Sequence, residues 1–322
     1  MKTTQLRTAL AGVLLACGAL ATAVGVARHD GDDNLPTATA TATAALGASR
    51  GPYVALGDSY TAGPMIPGHT GTPAGCARSD HNYPSLVTRQ LGIGATEFRD
   101  MSCSGATVAD LTTPQRTDEG TNPAQLTALS ARTRLVTLGI GGNDIGFGTM
   151  IRRCVGMGAV YHALGSGKYI PDGTPCERLY TDDGSDRIQQ KIDAVGSRLS
   201  DALQDIEDRA PQARVYVVGY PAILPDDSTG CEREMPLAPG DMTYLQEKER
   251  QLNAELRERA EAGGAVYVDT YTPSEGHDAC SAEADRWIEP LVPRSPAAAV
   301  HPNVRGEQGM ADAVLRALGT TR

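Results

Sequence analysis

From Pro52 onward, short unbroken apolar runs alternate with stretches whose apolar residues recur every three or four positions. The runs are Tyr53-Val54-Ala55-Leu56, Leu135-Val136-Thr137-Leu138-Gly139-Ile140, Val215-Tyr216-Val217-Val218 and Val266-Tyr267-Val268, with a weaker one near Glu97–Ser102. Continuous, β-branched runs predict strands covered on both faces, because a half-solvated strand alternates apolar with polar. Ile188, Ile192, Val195, Leu199, Leu203 and Ile206 predict one amphipathic helix, and Met242, Leu245, Leu252, Leu256 and Ala260 a second. Met310, Val314 and Leu318 predict a terminal one. This alternation predicts an α/β fold around a central parallel sheet, with the active site at the carboxyl ends of its strands. The stretch from Cys154 to Gly184 is rich in Gly, Pro and Tyr, lacks periodicity, and reads as an irregular excursion clamped by a disulfide.

The amino-terminal pattern differs. Lys2 and Arg7 precede an apolar run from about Ala9 to Ala27 that ends in small residues, which describes a signal peptide over residues 1–27. Retention of that run as a membrane anchor is one alternative. A lipid-modified Cys17 is another, although Leu15 stands where a small residue is usual. Residues 28–50 are Asp-, Thr- and Ala-rich, a low-complexity linker. The globular domain therefore spans 51–322.

Composition narrows the class. The 322 residues carry 29 Lys+Arg against 39 Asp+Glu, a net charge of −10, which argues against a nucleic-acid binder. Only two Phe and one Trp leave no stacking platform for bases. Without Cys17, six cysteines remain: Cys76, Cys103, Cys154, Cys176, Cys231 and Cys280. An even number in an exported chain predicts disulfides, but the spacing alone does not choose among pairings. No Cys-x-x-Cys pair exists and the histidines are scattered, so neither metal nor cofactor is expected.

Several strand ends hold residues of catalytic type. Gly57-Asp58-Ser59-Tyr60 ends the first run, where a serine is exposed in front of a helix amino terminus; a plain N-cap serine would look the same. Ser102-Cys103-Ser104-Gly105 follows the weak second run and offers a backbone N–H. Gly141-Gly142-Asn143-Asp144 ends the next, and Asn143 there can aim an amide at a developing oxyanion; an ordinary turn has the same composition. His69, His81, His162 and His277 lie in apparent loops, His29 in the linker. His301 follows the last strand and precedes the final helix, within reach of the strand-end face.

Taken in order, Ser59, Gly105, Asn143 and His301 resemble the four blocks of the GDSL/SGNH hydrolase superfamily, most nearly its secreted Streptomyces-type esterases and lipases. The supporting strings are Tyr53-Val54-Ala55-Leu56-Gly57-Asp58-Ser59-Tyr60, Gly141-Gly142-Asn143-Asp144, Val268-Asp269-Thr270-Tyr271-Thr272-Pro273 and His301-Pro302-Asn303, and the likeness runs from Pro52 to the end. It implies a flavodoxin-like α/β/α domain, sequential disulfides Cys76–Cys103, Cys154–Cys176 and Cys231–Cys280, and hydrolysis of carboxylic esters. Ser59 would be the nucleophile and His301 its base, with the Ser59 and Gly105 N–H groups and the Asn143 side chain as oxyanion hole. The Cys76–Cys103 bridge would hold Gly105 in place. Many members carry an Asp three residues before the histidine; here that position is Ala298, so its main-chain carbonyl is expected to orient the imidazole. Asp58, Asp144, Asp269 and Asp278 read as structural acceptors. The expected protein is a secreted, monomeric esterase or lipase acting on small-molecule or lipid esters. A phospholipase A, a carbohydrate acyl esterase and a non-catalytic binding module on the same fold are the alternatives.

Overall fold

A computed structural model describes residues 51–169, 171–181, 184–226 and 230–320. The expected signal peptide, the expected linker and Cys17 lie outside the described residues. The main sheet is built from β1 (Tyr53–Gly57), β2 (Phe98–Asp100), β5 (Leu135–Gly139), β6 (Arg214–Val218) and β7 (Val266–Val268). All are parallel, in the order β2-β1-β5-β6-β7. Between β2 and β5 the chain forms a small antiparallel hairpin, β3 (Gln115–Thr117) and β4 (Gly120–Asn122). The strand order runs outward from β1 to β2 and then returns past β1 to β5, so the β1–β5 boundary is the topological switch point where such sheets open a crevice. Gly57 and Gly139 pair at the last register position, which brings the carboxyl ends of β1 and β5 level.

Alternate residues of each strand enter two separate cores. Val54, Leu56, Val136, Leu138 and Val217 pack with α5 (Arg187–Arg209) and α6 (Pro239–Ala262) through Ile192, Leu199, Leu252 and Leu256. Tyr53, Ala55, Leu135, Tyr216 and Val218 face the other way, against α2 (Tyr83–Leu91) and α7 (Val304–Ala317). The sheet is thus covered on both faces, as its unbroken apolar strands require. Capping fixes where the helices begin: the Asp186 carboxylate accepts from Ile188 and Gln189 N–H at 2.8 and 3.1 Å, and Asn303 Oδ1 accepts from Arg305 and Gly306.

The remaining helices are α1 (Ser59–Ala62), α3 (Gly142–Ile145) and α4 (Phe147–Ala163). The last corrects the reading of Cys154 onward as irregular. The chain stays helical to Ala163, so His162 ends a helix rather than sitting in a loop, and only the segment beyond it is irregular. Gly148, Gly156 and Gly158 interrupt the apolar stripe of α4; Gly158 has no room for a side chain, since a Cβ there would lie 2.1 Å from Pro236 O. The disulfides are Cys76–Cys103, Cys154–Cys176 and Cys231–Cys280, the sequential pairing, and close loops of 27, 22 and 49 residues.

Loops of these sizes each restrict the unfolded chain by about 3–4 kcal/mol in the chain-entropy model. Replacing Cys231 and Cys280 together by Ser is expected to lower Tm by at least about 5 °C in calorimetry at fixed pH. An unchanged Tm would contradict this assignment.

Candidate active site

The site forms where β1 and β5 end. Gly57 closes β1 with φ +155°, and a Cβ there would lie 2.2 Å from Thr61 Oγ1 and 2.6 Å from Gly139 O, so only glycine fits. Its N–H and carbonyl are both held by the buried amide of Gln125, at 2.8 and 2.9 Å. The chain then turns at Asp58, whose N–H reaches Gly139 O at 3.0 Å, and Ser59 opens α1.

Ser59 Oγ lies 2.8 Å from His301 Nε2. His301 Nδ1 lies 2.8 Å from the carbonyl of Ala299, not of Ala298 as expected. The physical reason is the turn between them. Val300 has φ +60°, a left-handed conformation unusual for a β-branched residue, and this swings the carbonyl two residues before the histidine under its ring. Three bonds hold that turn: Tyr60 Oη donates to Val300 O at 2.6 Å, Val300 N–H donates to Glu289 O at 3.0 Å, and Glu289 N–H donates to His301 O at 3.0 Å. Ala298 N–H instead binds Pro64 O. The Tyr60 ring packs on the imidazole, with centroids 4.9 Å apart.

Glu289 anchors this loop from below. Its buried carboxylate accepts from Asn303 Nδ2 at 2.7 Å and from the N–H groups of Arg294 and Ser295. Burial works to raise its pKa, but these bonds prevail and hold it below the ordinary value. At His301, burial dominates and lowers the pKa. The bond to the Ala299 carbonyl opposes this, and the Arg152 charge adds to it. The imidazole is therefore neutral at pH 7, and a neutral ring donating Nδ1–H to a carbonyl presents its Nε2 lone pair to Ser59.

Gly105 follows Cys103 at φ +82°. Around it, Cys103 N–H binds Gly57 O, Ser104 N–H binds Cys76 O, and the Gln115 amide donates to Ser104 O. Among the described residues, neither the Ser59 nor the Gly105 N–H meets an acceptor. Asn143, on α3, donates one amide hydrogen to Ala106 O at 2.9 Å, and among the described residues the other meets no acceptor. Asp144 reinforces this link: its Oδ2 accepts from Val108 N–H at 3.0 Å and its Oδ1 from Arg198 at 3.1 Å.

Asp58 completes the frame. Its Oδ1 accepts from Tyr60 N–H at 2.9 Å and its Oδ2 from Tyr220 Oη at 2.5 Å, while the Tyr220 hydroxyl accepts from Gly142 N–H at 2.8 Å. Burial raises the Asp58 pKa to about 7 against those bonds. Asp58 and Asp144 are thus the loop-locking acceptors their positions suggested. Asp269 accepts from Tyr271 and Thr272, and Asp278 from Cys280 N–H, both remote from the imidazole's hydrogen bonds. Tyr220, Gln125 and Glu289 were not anticipated. Tyr220 had a usable signal, since it stands two residues beyond the carboxyl end of β6; Gln125 and Glu289 had none. A cavity of about 370 Å³ opens beside Ser59 and His301, with Phe147, Ile151, Ile223, Leu252 and Leu291 as its apolar walls.

Comparison with known proteins shows the family. The family model for the GDSL-like lipase/acylhydrolase family matches residues 55–308. Lipase 2 of Streptomyces coelicolor is 40% identical over 286 residues, 88% of this chain and 92% of that protein. An esterase of Streptomyces scabiei is 31% identical over 262 residues, 75% of each. The crystal structure of phospholipase A1 from Streptomyces albidoflavus NA297 aligns with TM-score 0.66 at 26% identity, covering 83% of this chain and 99% of that one. Fold and relatives together define the class, a carboxylic ester hydrolase. The chain belongs to the GDSL-like lipase/acylhydrolase family.

Removing the Tyr220 hydroxyl would strip both Asp58 and Gly142 N–H of a buried partner, and each such loss typically amounts to about 1–3 kcal/mol. Tyr220→Phe is expected to lower the unfolding free energy by at least that much in a denaturant titration with unchanged m-value. Wild-type stability would show that the Tyr220 bridge contributes nothing.

Proposed function

We propose that this hydrolase is a secreted serine esterase or lipase that works through an acyl-enzyme on Ser59. The reading rests on one observation above all: Ser59 Oγ and His301 Nε2 are 2.8 Å apart, with Nδ1 engaged by a carbonyl. A nucleophile, its base and an orienting group in that order are what acyl transfer requires.

In the forward step, Ser59 Oγ attacks the ester carbonyl while His301 Nε2 takes its proton. The carbonyl oxygen becomes an oxyanion facing the Ser59 and Gly105 N–H groups and the free Asn143 amide hydrogen. His301 then protonates the departing alkoxide, leaving the acyl group on Ser59. Water, deprotonated by His301, reverses the sequence and releases the acid. The Ala299 carbonyl fixes the ring orientation throughout, but being neutral it stabilises the imidazolium less than a carboxylate would. The lowered pKa of His301 makes the imidazolium a stronger acid toward the leaving alkoxide.

Export is supported by the pairing of all six cysteines of the folded domain, which marks an oxidising compartment. Among the described residues no helix is long and apolar enough to cross a membrane. We infer cleavage of residues 1–27 and a monomeric enzyme, with the apolar cavity wall receiving the acyl chain.

Ser59→Ala is expected to abolish hydrolysis of p-nitrophenyl butyrate with an unchanged circular dichroism spectrum, and His301→Ala to lower kcat by several orders of magnitude. Asp278→Asn is expected to change it little; equal damage from Asp278→Asn and His301→Ala would overturn the carbonyl-oriented pair.

The pH dependence follows from the same groups. His301 is active when neutral, so kcat/KM should rise with pH and level off, with a midpoint below the ordinary imidazole value of about 6.5. Asp58, at about 7, titrates higher, so Asp58→Asn should remove any inflection near 7 and keep the lower limb. A single limb centred above 7 that survives Asp58→Asn would contradict the burial of His301.

A further inference from the structure

One cation in the catalytic cavity has no counter-charge. Arg152 projects from α4 into the same cavity that Ser59 and His301 line. Among the described residues its guanidinium makes a single hydrogen bond, Nη2 to Thr149 Oγ1 at 3.2 Å, one turn back on its own helix. Among the described residues no carboxylate lies within ion-pair distance of it, whereas Arg198 is paired with Asp144. The two acids of the cavity are turned elsewhere: Asp58 to Tyr60 N–H and Tyr220 Oη, Glu249 to Ile223 N–H. The chain as a whole carries a net charge of −10, so an unpaired cation at the reacting centre runs against the surrounding charge.

The position is also unfavourable for the chemistry of a neutral ester. Each acyl transfer makes an imidazolium at His301, and the Arg152 charge opposes it. That opposition is relieved when the substrate itself brings an anion between the two. A guanidinium offers a planar fork of donors suited to phosphate oxygens, and an exposed one surrenders little hydration to bind them.

We propose that Arg152 is the anion subsite of this enzyme and selects esters whose alcohol portion carries a phosphodiester, as in a glycerophospholipid. In such a substrate the phosphorus is separated from the scissile acyl ester only by the glycerol backbone, so one molecule spans Ser59 and Arg152 while its acyl chain lies against Phe147, Ile151 and Leu252. The proposal rests on the serine-esterase reading above and adds the substrate class.

The test is a matched pair of soluble substrates, dihexanoylphosphatidylcholine and dihexanoylglycerol, assayed with the wild-type enzyme, Arg152→Gln and Arg152→Lys. Acyl chains and glycerol are the same, so the ratio of the two kcat/KM values reports the headgroup alone. The ratio of phospholipid to diacylglycerol is expected to fall at least about 10-fold in Arg152→Gln and to recover in part in Arg152→Lys, which keeps the charge but loses the fork. An unchanged ratio overturns the subsite, and so does a parallel loss on both substrates, which would make Arg152 a general contributor to the oxyanion or the fold. If wild-type enzyme cleaves neither substrate nor p-nitrophenyl butyrate, the esterase reading falls and the subsite with it; cleavage of the neutral esters with an unchanged ratio removes the subsite alone.

Discussion

A carboxylate held out of water at the end of β1 ties the catalytic loops to one another. Asp58 accepts from Tyr60 in its own turn and from Tyr220 beyond β6, and Tyr220 in turn accepts from Gly142 at the head of α3. Three strand ends are thereby joined through two side chains. A buried carboxylate without such partners would be strongly unfavourable, so the loops are constrained to the geometry that satisfies it. The register of β1 against β5 makes this possible, because Gly57 and Gly139 finish level and leave Asp58 directly over the gap between them.

The same economy of parts explains how one side of the site is rigid. The Cys76–Cys103 bridge, the Gln115 amide and the Asp144–Val108 bond all fasten the segment around Gly105, while the Gln125 amide holds Gly57 and the Asn143 amide is tethered to Ala106. Donors fixed before the substrate arrives need no reorganisation when charge develops, which is the condition under which they help most. The histidine side is built differently. It hangs on a loop that crosses from Glu289 to Asn303, secured by one buried carboxylate, a strained Val300 and the Tyr60 hydroxyl. Left-handed strain of this kind, about 1–3 kcal/mol, persists only where surrounding bonds overdetermine it.

Much of this was legible in the chain. The four long apolar runs became the strands β1, β5, β6 and β7 because a strand covered on both faces has a distinctive composition. The helices at Ile188–Ile206 and Met242–Ala260 became visible through their spacing. What escaped has physical reasons. α2 is short and partly polar and draws its stability from packing on Met310 and Val314 of α7, which no local pattern records. α4 was hidden by its glycines. At the site, Ser59, Gly105, Asn143 and His301 stand next to strand ends or helix starts and could be read in order. Gln125 and Glu289 act across long separations in sequence, and Ala299 rather than Ala298 faces His301 because of a backbone turn at Val300, which side-chain identity does not encode.

An imidazole oriented by a neutral carbonyl also sets what kind of substrate the cavity favours. With no carboxylate behind it, the imidazolium of the proposed mechanism would be stabilised by the Ala299 dipole, and burial works against it. An enzyme built this way gains from any negative charge the substrate carries close to the ring. Arg152 lines the same cavity and is the cation that the proposed substrate anion would meet. A substrate anion would therefore compensate both cations at once, and the missing catalytic acid and the unpaired arginine become two sides of one electrostatic arrangement.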